Sequence, residues 1–497
     1  MVKHNIANRE QNGINVQCVF NDSSIKWRSV SLSDILSHGK RLEASVFDVQ
    51  AKQAKDTISR VKYKTSLLGG ENGLIETAYY PGWMQRSRLK RIWCEQQYGE
   101  GFYLPSQITD IYPVAEKHIS RLADCDLDEL RLKRNTLLLT RSGTIGSISI
   151  VSETLNGLVF SDDVIRISFK NACDLGYVYA FLKSKVGNLV LRTNGYGSVI
   201  THIEPEHLAE IKIPDAPPEL KEQIHELVMR SYSLRDESNT LIDEAEDILI
   251  EELQLPKIWE FNLACYRGDA PVETYGVKLS SMNGRVDASY HKPIVAAITQ
   301  HLNKHADEVT KVGDKRISNN IILPGRFKRV YVDEERGVPF FSGRSIGELD
   351  PSDKKYLSLS QHDRKIKNEL TIHEGMILIT CSGTIGNVAM VPKHWDGWAM
   401  THDIIRLVPV NNMVGFIYIW LHSKYAETLL KAQAYGSVVS HIEKEHLLNI
   451  PVPLLKNRGA QREINHLAIS ANVKRYEAFK LEKQALKIIE DEVIYAK

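Results

Sequence analysis

The 497-residue sequence has few of the features that mark membrane or secreted proteins. Its six cysteines, at positions 18, 94, 125, 173, 265 and 381, form no C-x-x-C pair. This pattern disfavours a disulfide framework or a cysteine zinc site and favours a reducing compartment. The longest apolar run, near Met413–Leu421, is shorter than the roughly 18 residues of a membrane span. The first residues lack the apolar stretch of a secretory signal. We therefore expect a cytoplasmic protein with no membrane partner.

Charge of one sign is also missing, because 63 basic residues face 62 acidic ones and the net charge is +1. The hydrophobic and charged fractions, 43% and 25%, are ordinary for a globular protein and exclude a mostly disordered chain. A strongly basic, stand-alone nucleic-acid binder is not indicated. If nucleic acid is the partner, the cations must be segregated locally, or another subunit must supply part of the field.

Catalytic signatures are absent as well. The sequence has no Walker A motif, no G-x-S-x-G and no Asn-Pro-Pro-Tyr/Phe of adenine methyltransferases. His202 with His207, and His441 with His446, are five residues apart, which places them on different faces of a helix and disfavours metal binding. We predict no catalytic residue, no metal and no cofactor bound by this chain.

The most informative feature is an internal duplication. LLLTRSGTIGSISIV at 137–151 recurs as ILITCSGTIGNVAMV at 377–391, an offset of 240 residues. YGSVITHIEPEHL at 196–208 recurs as YGSVVSHIEKEHL at 435–447, with ten of thirteen positions identical. Two homologous modules of about 240 residues therefore lie in tandem, and each is large enough to be a domain.

Each module ends in a long predicted helix with apolar residues alternately three and four apart, the heptad pattern of a coiled coil. Each heptad seam contains polar residues and is too weak to be stable alone. We predict that the two helices, each about 50 Å long, pack against each other in antiparallel orientation and place the globular parts at opposite ends of a rod. The predicted contact residues of these spacer helices are Ile224, Leu227, Leu234, Leu241, Ile248, Ile464, Leu467, Leu481 and Ile488.

Each module also has a predicted strand stopped by proline before its long helix, IKIP at 211–214 and IPVP at 450–453. The order of the repeated SGTIG turn, this Ile-Pro strand and the heptad helix resembles the specificity (S) subunit of type I restriction-modification systems. The resemblance covers about residues 25–497 and implies an α+β fold with two target-recognition domains and two antiparallel spacer helices. The predicted division of the chain is an N-terminal extension (1–24), recognition domain 1 (25–217), spacer helix 1 (218–256), recognition domain 2 (257–455) and spacer helix 2 (456–497).

The same resemblance implies a function in a complex. It implies recognition of a bipartite double-stranded DNA site, one half per domain, and a scaffold for two methyltransferase subunits and restriction-translocase subunits. S-adenosylmethionine, ATP and Mg²⁺ are then expected in those partner subunits. Two alternatives stay open at this point: a specificity factor of another methylation-linked phage-defence system, or a nuclease built on duplicated recognition domains.

Candidate DNA contacts follow from repeated polar and basic positions, because Lys and Arg neutralise phosphates and Arg also reads guanine. The alternative for every one of them is an ordinary surface or structural role. The basic clusters surround Lys90-Arg91 and Lys328-Arg329, at an offset of 238, and we favour phosphate contacts there. The candidates are Arg86, Arg88, Lys90, Arg91, Arg326, Lys328, Arg329, Arg344, Ser142, Thr144, Ser382, Thr384, Tyr196, Ser198, Tyr435 and Ser437.

One repeated pair is predicted to be structural. Asp163 and Arg166, and likewise Asp403 and Arg406, are three residues apart in predicted strands. We interpret each pair as an ion pair that stabilises its module.

Overall fold

The computed structural model describes residues 30–37, 49–82, 90–123, 126–143, 145–193, 202–265, 274–282 and 284–496. The chain forms two compact units, Met1–Val49 and Gln50–Lys497. In the first unit the structure describes helix α1 (Leu32–Ser37). The second unit holds both modules and both long helices. Among the described helices, none is long and apolar enough to cross a membrane.

Module 1 is a mixed helix and strand domain followed by the first spacer helix. Its helices are α2 (Val49–Ser59), α3 (Leu127–Leu130), α4 (Ala172–Lys183), α5 (Lys185–Thr193), α6 (Pro205–Ala209) and the spacer helix α7 (Pro218–Glu252). Its strands are β1 (Thr65–Leu67), β2 (Ile75–Tyr79), β3 (Trp93–Cys94), β4 (Gly99–Tyr103), β5 (Lys117–Ser120), β6 (Leu137–Thr140), β7 (Ile148–Ile150), β8 (Val159–Phe160), β9 (Val164–Phe169) and β10 (Lys212–Pro214).

Module 2 repeats this order of strands and has a longer helical segment between β15 and β16. Its helices are α8 (Ile258–Cys265), α9 (Pro293–His305), α10 (Leu359–Lys365), α11 (Val414–His422), α12 (Lys424–Ala432), α13 (Lys444–Leu448) and the spacer helix α14 (Arg458–Ile488). Its strands are β11 (Glu308–Lys311), β12 (Ser318–Ile322), β13 (Tyr331–Val332), β14 (Gly337–Phe341), β15 (Lys355–Ser358), β16 (Ile377–Thr380), β17 (Val388–Met390), β18 (Ala399–Met400), β19 (Ile404–Pro409) and β20 (Pro451–Leu454). Short π-helical turns extend α10 to Leu370 and α14 to Ile494.

The two modules have the same sheet topology, as the duplication requires. Each contains two four-stranded sheets that differ in strand length. The larger sheet, with the longer strands, has the order β2-β9-β6-β7 or β12-β19-β16-β17. Each contains a smaller sheet, in the order β3-β5-β4-β8 or β13-β15-β14-β18, and a two-stranded ribbon. In the smaller sheets, β4–β8 and β14–β18 pair in parallel, whereas the other strand pairs of both sheets are antiparallel. The predicted α+β class is confirmed.

The repeated apolar strand lies at the centre of each larger sheet and is buried on both faces. Leu137 and Leu139 on β6 point into the core shared with α4, whereas Leu138 points into a second cluster with Ile108. Because successive residues of a strand face opposite sides, a continuous apolar run is what a doubly buried strand requires. In module 2, β16 follows the same arrangement.

The spacer helices α7 and α14 are antiparallel, as predicted. Ser231 donates a hydrogen bond to the Ala478 carbonyl at 2.8 Å, and Asn457 donates to Glu252 at 2.8 Å. Residue numbers therefore rise along one helix as they fall along the other. Near the middle, Lys474 pairs with Glu237 at 2.6 Å.

The buried face of the spacer helices is wider than the predicted seam. Ile224, Leu234, Ile464 and Ile488 are buried, but the other predicted contact residues are only partly buried: Leu227, Leu241, Ile248, Leu467 and Leu481. Neighbouring positions are buried instead, because each spacer also packs on the modules. Val228 and Tyr232 join the core of module 1, and Ile242 and Leu249 join that of module 2.

The modules lie along the two halves of the spacer pair, not at the ends of a rod. The first half of α7 and the last residues of α14 pack on module 1, and the reverse holds for module 2. The modules then meet at the middle. Asp110 and Glu348 form an isolated antiparallel bridge, and the Ile111 amide donates to the Gly347 carbonyl at 2.8 Å. The prediction that the spacer helices place the globular parts at opposite ends of a rod is therefore corrected, because the two modules contact each other at the middle of the spacer pair.

A close helix contact repeats in both modules. The Gly176 amide donates to His225 Nδ1 at 3.2 Å, and the Gly415 amide donates to Asn465 Oδ1 at 2.8 Å. A Cβ on Gly176 would lie 2.7 Å from the His225 Cα, and one on Gly415 would lie 2.2 Å from the Asn465 carbonyl oxygen. Glycine is therefore needed for α4 and α11 to approach their spacers.

Candidate nucleic-acid interface

The smaller sheet of each module carries the basic residues singled out in the sequence, but the two arginines are engaged within the protein. Arg91 forms an ion pair with Asp162 at 2.5 Å. The equivalent Arg329 donates to Thr401 Oγ1 at 2.9 Å and lies 3.3 Å from His402 Nδ1. These arginines therefore tie the start of β3 or β13 to the segment after β8 or β18. A phosphate contact from either would have to compete with those bonds.

The neighbouring cations of this cluster point outwards. Lys90, Arg326 and Lys328 are exposed. Arg344 is also exposed and lies in a short helical turn after β14, where its amide is held by Ser342. The predicted contacts of these four side chains with DNA stay predictions. Arg86 and Arg88 lie outside the described residues.

A lysine over an aromatic ring occurs at the same place in each smaller sheet, and the sequence reasoning missed it. Lys117 Nζ on β5 lies 5.2 Å from the ring centre of Trp93, and Lys355 Nζ on β15 lies 5.0 Å from that of Tyr331. Both lysines are exposed. The sequence could have indicated these pairs, because the lysine and the aromatic residue both recur at the 238-residue offset that relates Lys90 to Lys328.

The SGTIG turns connect β6 to β7 and β16 to β17. Their glycines adopt positive φ, between 73° and 98°, which a side chain disfavours. The Ser142 hydroxyl donates to Asp163, and the Gly383 amide donates to the Ser440 carbonyl at 3.2 Å. Ser382 is partly buried and Thr384 is exposed. These bonds give the turns a structural role, whereas DNA contact by the serines and Thr384 stays a prediction. Thr144 lies outside the described residues.

The repeated YGS loop is held against the SGTIG turn in module 2. Isolated bridges join Ser382 to His441 and Tyr435 to His441. The Tyr435 hydroxyl donates to Glu443, which raises the pKa of Tyr435 above its ordinary value. Ser437 is exposed. Tyr196 and Ser198, the equivalents in module 1, lie outside the described residues.

The histidines of this region have structural bonds. His207 Nδ1 accepts a hydrogen bond from the Glu204 amide at 2.9 Å, and His446 Nδ1 accepts one from the Glu443 amide at 3.0 Å. Each imidazole thus helps to cap the start of α6 or α13. Within the described part of the chain, no group of three or more His, Cys, Asp or Glu residues is placed to hold a metal ion.

The predicted ion pairs within β9 and β19 are wrong. The buried Arg166 donates to the backbone carbonyls of Val164 and Leu130, and Arg406 donates to Ile404 and Met400 in the same way. Residues three apart in a strand face opposite sides, so the aspartates cannot reach them.

Both buried guanidinium groups connect the two sheets of their module, and burial lowers each arginine pKa to about 10. Asp163 instead pairs with Arg141 at 3.3 Å, and Asp403 lies 3.3 Å from His402.

The contact between the modules is made by equivalent residues. Asp110 and Glu348 follow β4 and β14 at the same 238-residue offset. Their mutual antiparallel bridge therefore lies on an approximate two-fold axis that also passes through the middle of the spacer pair. Burial, and then the neighbouring Glu348 and Glu116, raise the pKa of Asp110 to about 8. The Glu348 carboxylate accepts bonds from Ser345 and Ser352.

Comparison with known proteins agrees with this architecture. Residues 328–483 match the model of the type I restriction modification DNA specificity domain. That range begins in the basic cluster before β13 and ends within α14. No curated protein sequence matches the chain.

Three solved structures are similar over most of the chain. The type I S subunit from M. genitalium is 14% identical, with 88% of this chain and 96% of that chain covered and a TM-score of 0.31. The HsdS subunit from Thermoanaerobacter tengcongensis is 12% identical, with 87% and 100% covered and a TM-score of 0.26. A chain from a study of type I R-M complex assembly and conformational transition is 13% identical, with 86% and 96% covered and a TM-score of 0.27.

The specificity-domain match lies within module 2, and the internal duplication relates module 1 to the matched region. Both modules share sheet order, spacer position and the paired contacts at the two-fold axis. Residues 328–483 of module 2 are therefore similar to the type I restriction modification DNA specificity domain, and module 1 is the internal repeat of that region.

Proposed function

We propose that this chain selects a bipartite double-stranded DNA site, with one half-site read by each module. The observation that carries the proposal is the approximate two-fold relation between the modules. The antiparallel spacers and the Asp110–Glu348 bridge place equivalent surfaces of both modules in inverted orientation. Two-fold proteins match DNA half-sites in this way, because the two strands of a duplex are themselves antiparallel.

The chain acts as a scaffold and carries out no chemistry itself. One methyltransferase subunit binds beside each module and supplies S-adenosylmethionine, and restriction-translocase subunits supply ATP and Mg²⁺. The net charge of +1 supports a shared grip on DNA, since a near-neutral chain alone gives a weak electrostatic attraction to phosphates. This function places the chain in the cytoplasm, where chromosomal and incoming DNA are accessible.

The stoichiometry of the assembled complex tests the scaffold role. The chain is co-expressed with a methyltransferase subunit from the same host, and the mass of the purified complex is measured by native mass spectrometry. We expect two methyltransferase chains per copy of this chain. A stable one-to-one complex that methylates both half-sites would contradict the proposal.

The division of recognition between modules is tested separately. The same complex is bound to DNA with both half-sites intact, or with either half scrambled. We expect a loss of affinity from scrambling each half, worth about 1–3 kcal/mol per mismatched base pair. Insensitivity to one of the two halves would show that only one module reads sequence.

A further inference from the structure

The lysine over an aromatic ring in each smaller sheet is suited to contact a DNA backbone. Trp93 and Tyr331 are 42% and 41% exposed, so each ring presents much of its surface to solvent while one part supports the lysine. The ammonium groups of Lys117 and Lys355 lie about 5 Å from the ring centres, within the range of a cation–π interaction. Cation and ring are thus held together before any ligand arrives.

The two ammonium groups are available to an anion, in contrast to the arginines beside them. Among the described residues, neither Lys117 nor Lys355 forms an ion pair, whereas Arg91 is paired with Asp162. The equivalent Arg329 is bonded to Thr401. The arginines hold the strand in place, and the lysines are the cations left to bind phosphate.

The pairs are retained although their surroundings have diverged. On β5 and β15 the residues after the lysines are His118 and Tyr356, and opposite these two residues β4 has Gly101 where β14 has Pro339. Modules that read different half-sites should differ at base-reading positions and agree at backbone-contacting ones, because phosphates carry no sequence information. Because both modules keep the lysine and the aromatic ring, these pairs are suited to contact the DNA backbone.

We propose that Lys117 with Trp93, and Lys355 with Tyr331, form one DNA-backbone anchor in each module. The ammonium binds a phosphate, and the aromatic ring packs against the adjacent deoxyribose. This assignment rests on the proposed function and adds to it a site on β3 and β5, and on β13 and β15. It replaces Arg91 and Arg329 as the principal phosphate contacts of the smaller sheets.

The test measures DNA affinity of the assembled methyltransferase complex over a salt series, with Lys117→Ala, Lys355→Ala and the double variant. Each single variant should bind roughly three- to tenfold more weakly, and the slope of log K against log salt should become shallower by about 0.9. The double variant should show about twice the change in slope. Lys52→Ala and Lys304→Ala are matched controls, because these exposed lysines lie on α2 and α9, away from the smaller sheets.

The ring is tested with Trp93→Ala and Tyr331→Ala against Trp93→Phe and Tyr331→Phe. The alanine variants should lose affinity with the salt slope unchanged, and the phenylalanine variants should retain most of it. Thermal unfolding of each variant checks that the fold is intact.

Wild-type affinity and slope in the folded lysine variants would overturn the anchor. A loss confined to one base pair of one half-site would overturn it too, because it would indicate base reading. Failure of the wild-type complex to distinguish specific from scrambled DNA would instead contradict the proposed function. The two results are therefore distinguishable.

Discussion

The two halves of the spacer pair have polar contacts at equivalent positions, but the residues that make these contacts differ. On the module 1 side, the buried Glu482 accepts hydrogen bonds from Tyr179 and from Arg235, at 3.0 Å for the latter, and Lys183 lies 3.5 Å away. Burial acts to raise the pKa of Glu482, but the two cations outweigh it and hold that pKa well below its ordinary value.

On the module 2 side the carboxylate is missing. The equivalents of Tyr179, Arg235 and Lys183 are Tyr418, Arg475 and His422, and Ile242 takes the place of Glu482. Arg475 is satisfied by neutral partners, with Ser238 Oγ at 3.3 Å and Tyr418 at 3.5 Å. Burial, reinforced by Arg475, lowers the pKa of His422 to about 4, so its ring is neutral at physiological pH.

This difference shows how a duplicated scaffold can favour one pairing of its spacer helices over another. If α7 paired with the α7 of a second chain, Ile242 would face Arg235 and Lys183, and these two partly buried cations would lose their carboxylate. The single acidic residue therefore favours the pairing of α7 with α14 of the same chain. This is a stability difference between alternative partners, which is how a buried polar group specifies an arrangement.

The largest effect is expected from Glu482→Ile, which gives both halves of the spacer pair an isoleucine at this position. Arg235 and Lys183, which are partly buried, would lose their carboxylate, and the free energy of unfolding should fall by about 3–5 kcal/mol. Chemical denaturation of the purified chain measures the loss. Ile242→Glu is the matched variant, because Arg475 is available to pair with the new carboxylate, and it should cost much less. Equal losses in both variants would show that the asymmetry of charge is unimportant.

A smaller loss of stability is expected from changing the glycines that both halves share, Gly176 and Gly415. Gly415→Ala and Gly176→Ala should each destabilise the chain by about 1–3 kcal/mol, because the added methyl group overlaps the spacer backbone. Gly415→Ala should cost more, since its closest contact is a backbone oxygen at 2.2 Å. The control is Gly276→Ala, at an exposed position that has open space around it and no positive φ. Thermal unfolding of the three variants ranks them, and no excess loss at Gly415 and Gly176 over the control would contradict the close-contact account.

A third effect depends on pH and concerns the junction between the modules. Asp110 has a raised pKa of about 8 in the folded chain, so between roughly pH 4 and pH 8 the folded state binds more protons than the unfolded state. Stability contributed by this group is therefore lost as pH rises through that range. Asp110→Asn, which stays neutral, should be nearly as stable as wild type at pH 4 and more stable than wild type at pH 8, with a difference that grows as pH rises.

Melting temperatures measured across this pH range test the junction. Asp333→Asn, at an exposed position before β14, is the control for loss of a carboxylate. The same pH profile in wild type and in Asp110→Asn would exclude Asp110 as the source.

The sequence was sufficient for the repeated architecture and insufficient for side-chain partners. Periodicity alone predicted both spacer helices and their antiparallel pairing, because a seam with serines and alanines needs a second helix. It did not show that Val228 and Tyr232 pack on a module, since a helix wheel does not indicate how many neighbours a helix has. The Asp163–Arg166 pair was wrong because strand alternation separates the two side chains.

Among the candidate DNA contacts, the basic clusters were found from their recurrence, but their partners were not. Arg91 looked like a free cation until Asp162, 71 residues later, was brought beside it by the parallel pairing of β4 and β8. Lys117 was overlooked because it stands alone in sequence. Its distance from Trp93 depends on the pairing of β3 with β5, which local patterns do not predict.

The central claim, that two modules on a rigid spacer read two half-sites, is tested most directly by mapping methylated positions across the genome of a host that expresses the complex. Wild type should give a two-part motif with a fixed gap. A heptad inserted after Arg235, and another after Arg475, should separate the modules by roughly 10 Å and lengthen the gap by about three base pairs, with the half-site bases unchanged. Removal of a heptad, Leu234–Thr240 with Lys474–Lys480, would force the modules together at Asp110 and Glu348, so insertion is the better change. A continuous motif, or an unchanged gap in the folded insertion variant, would contradict the account.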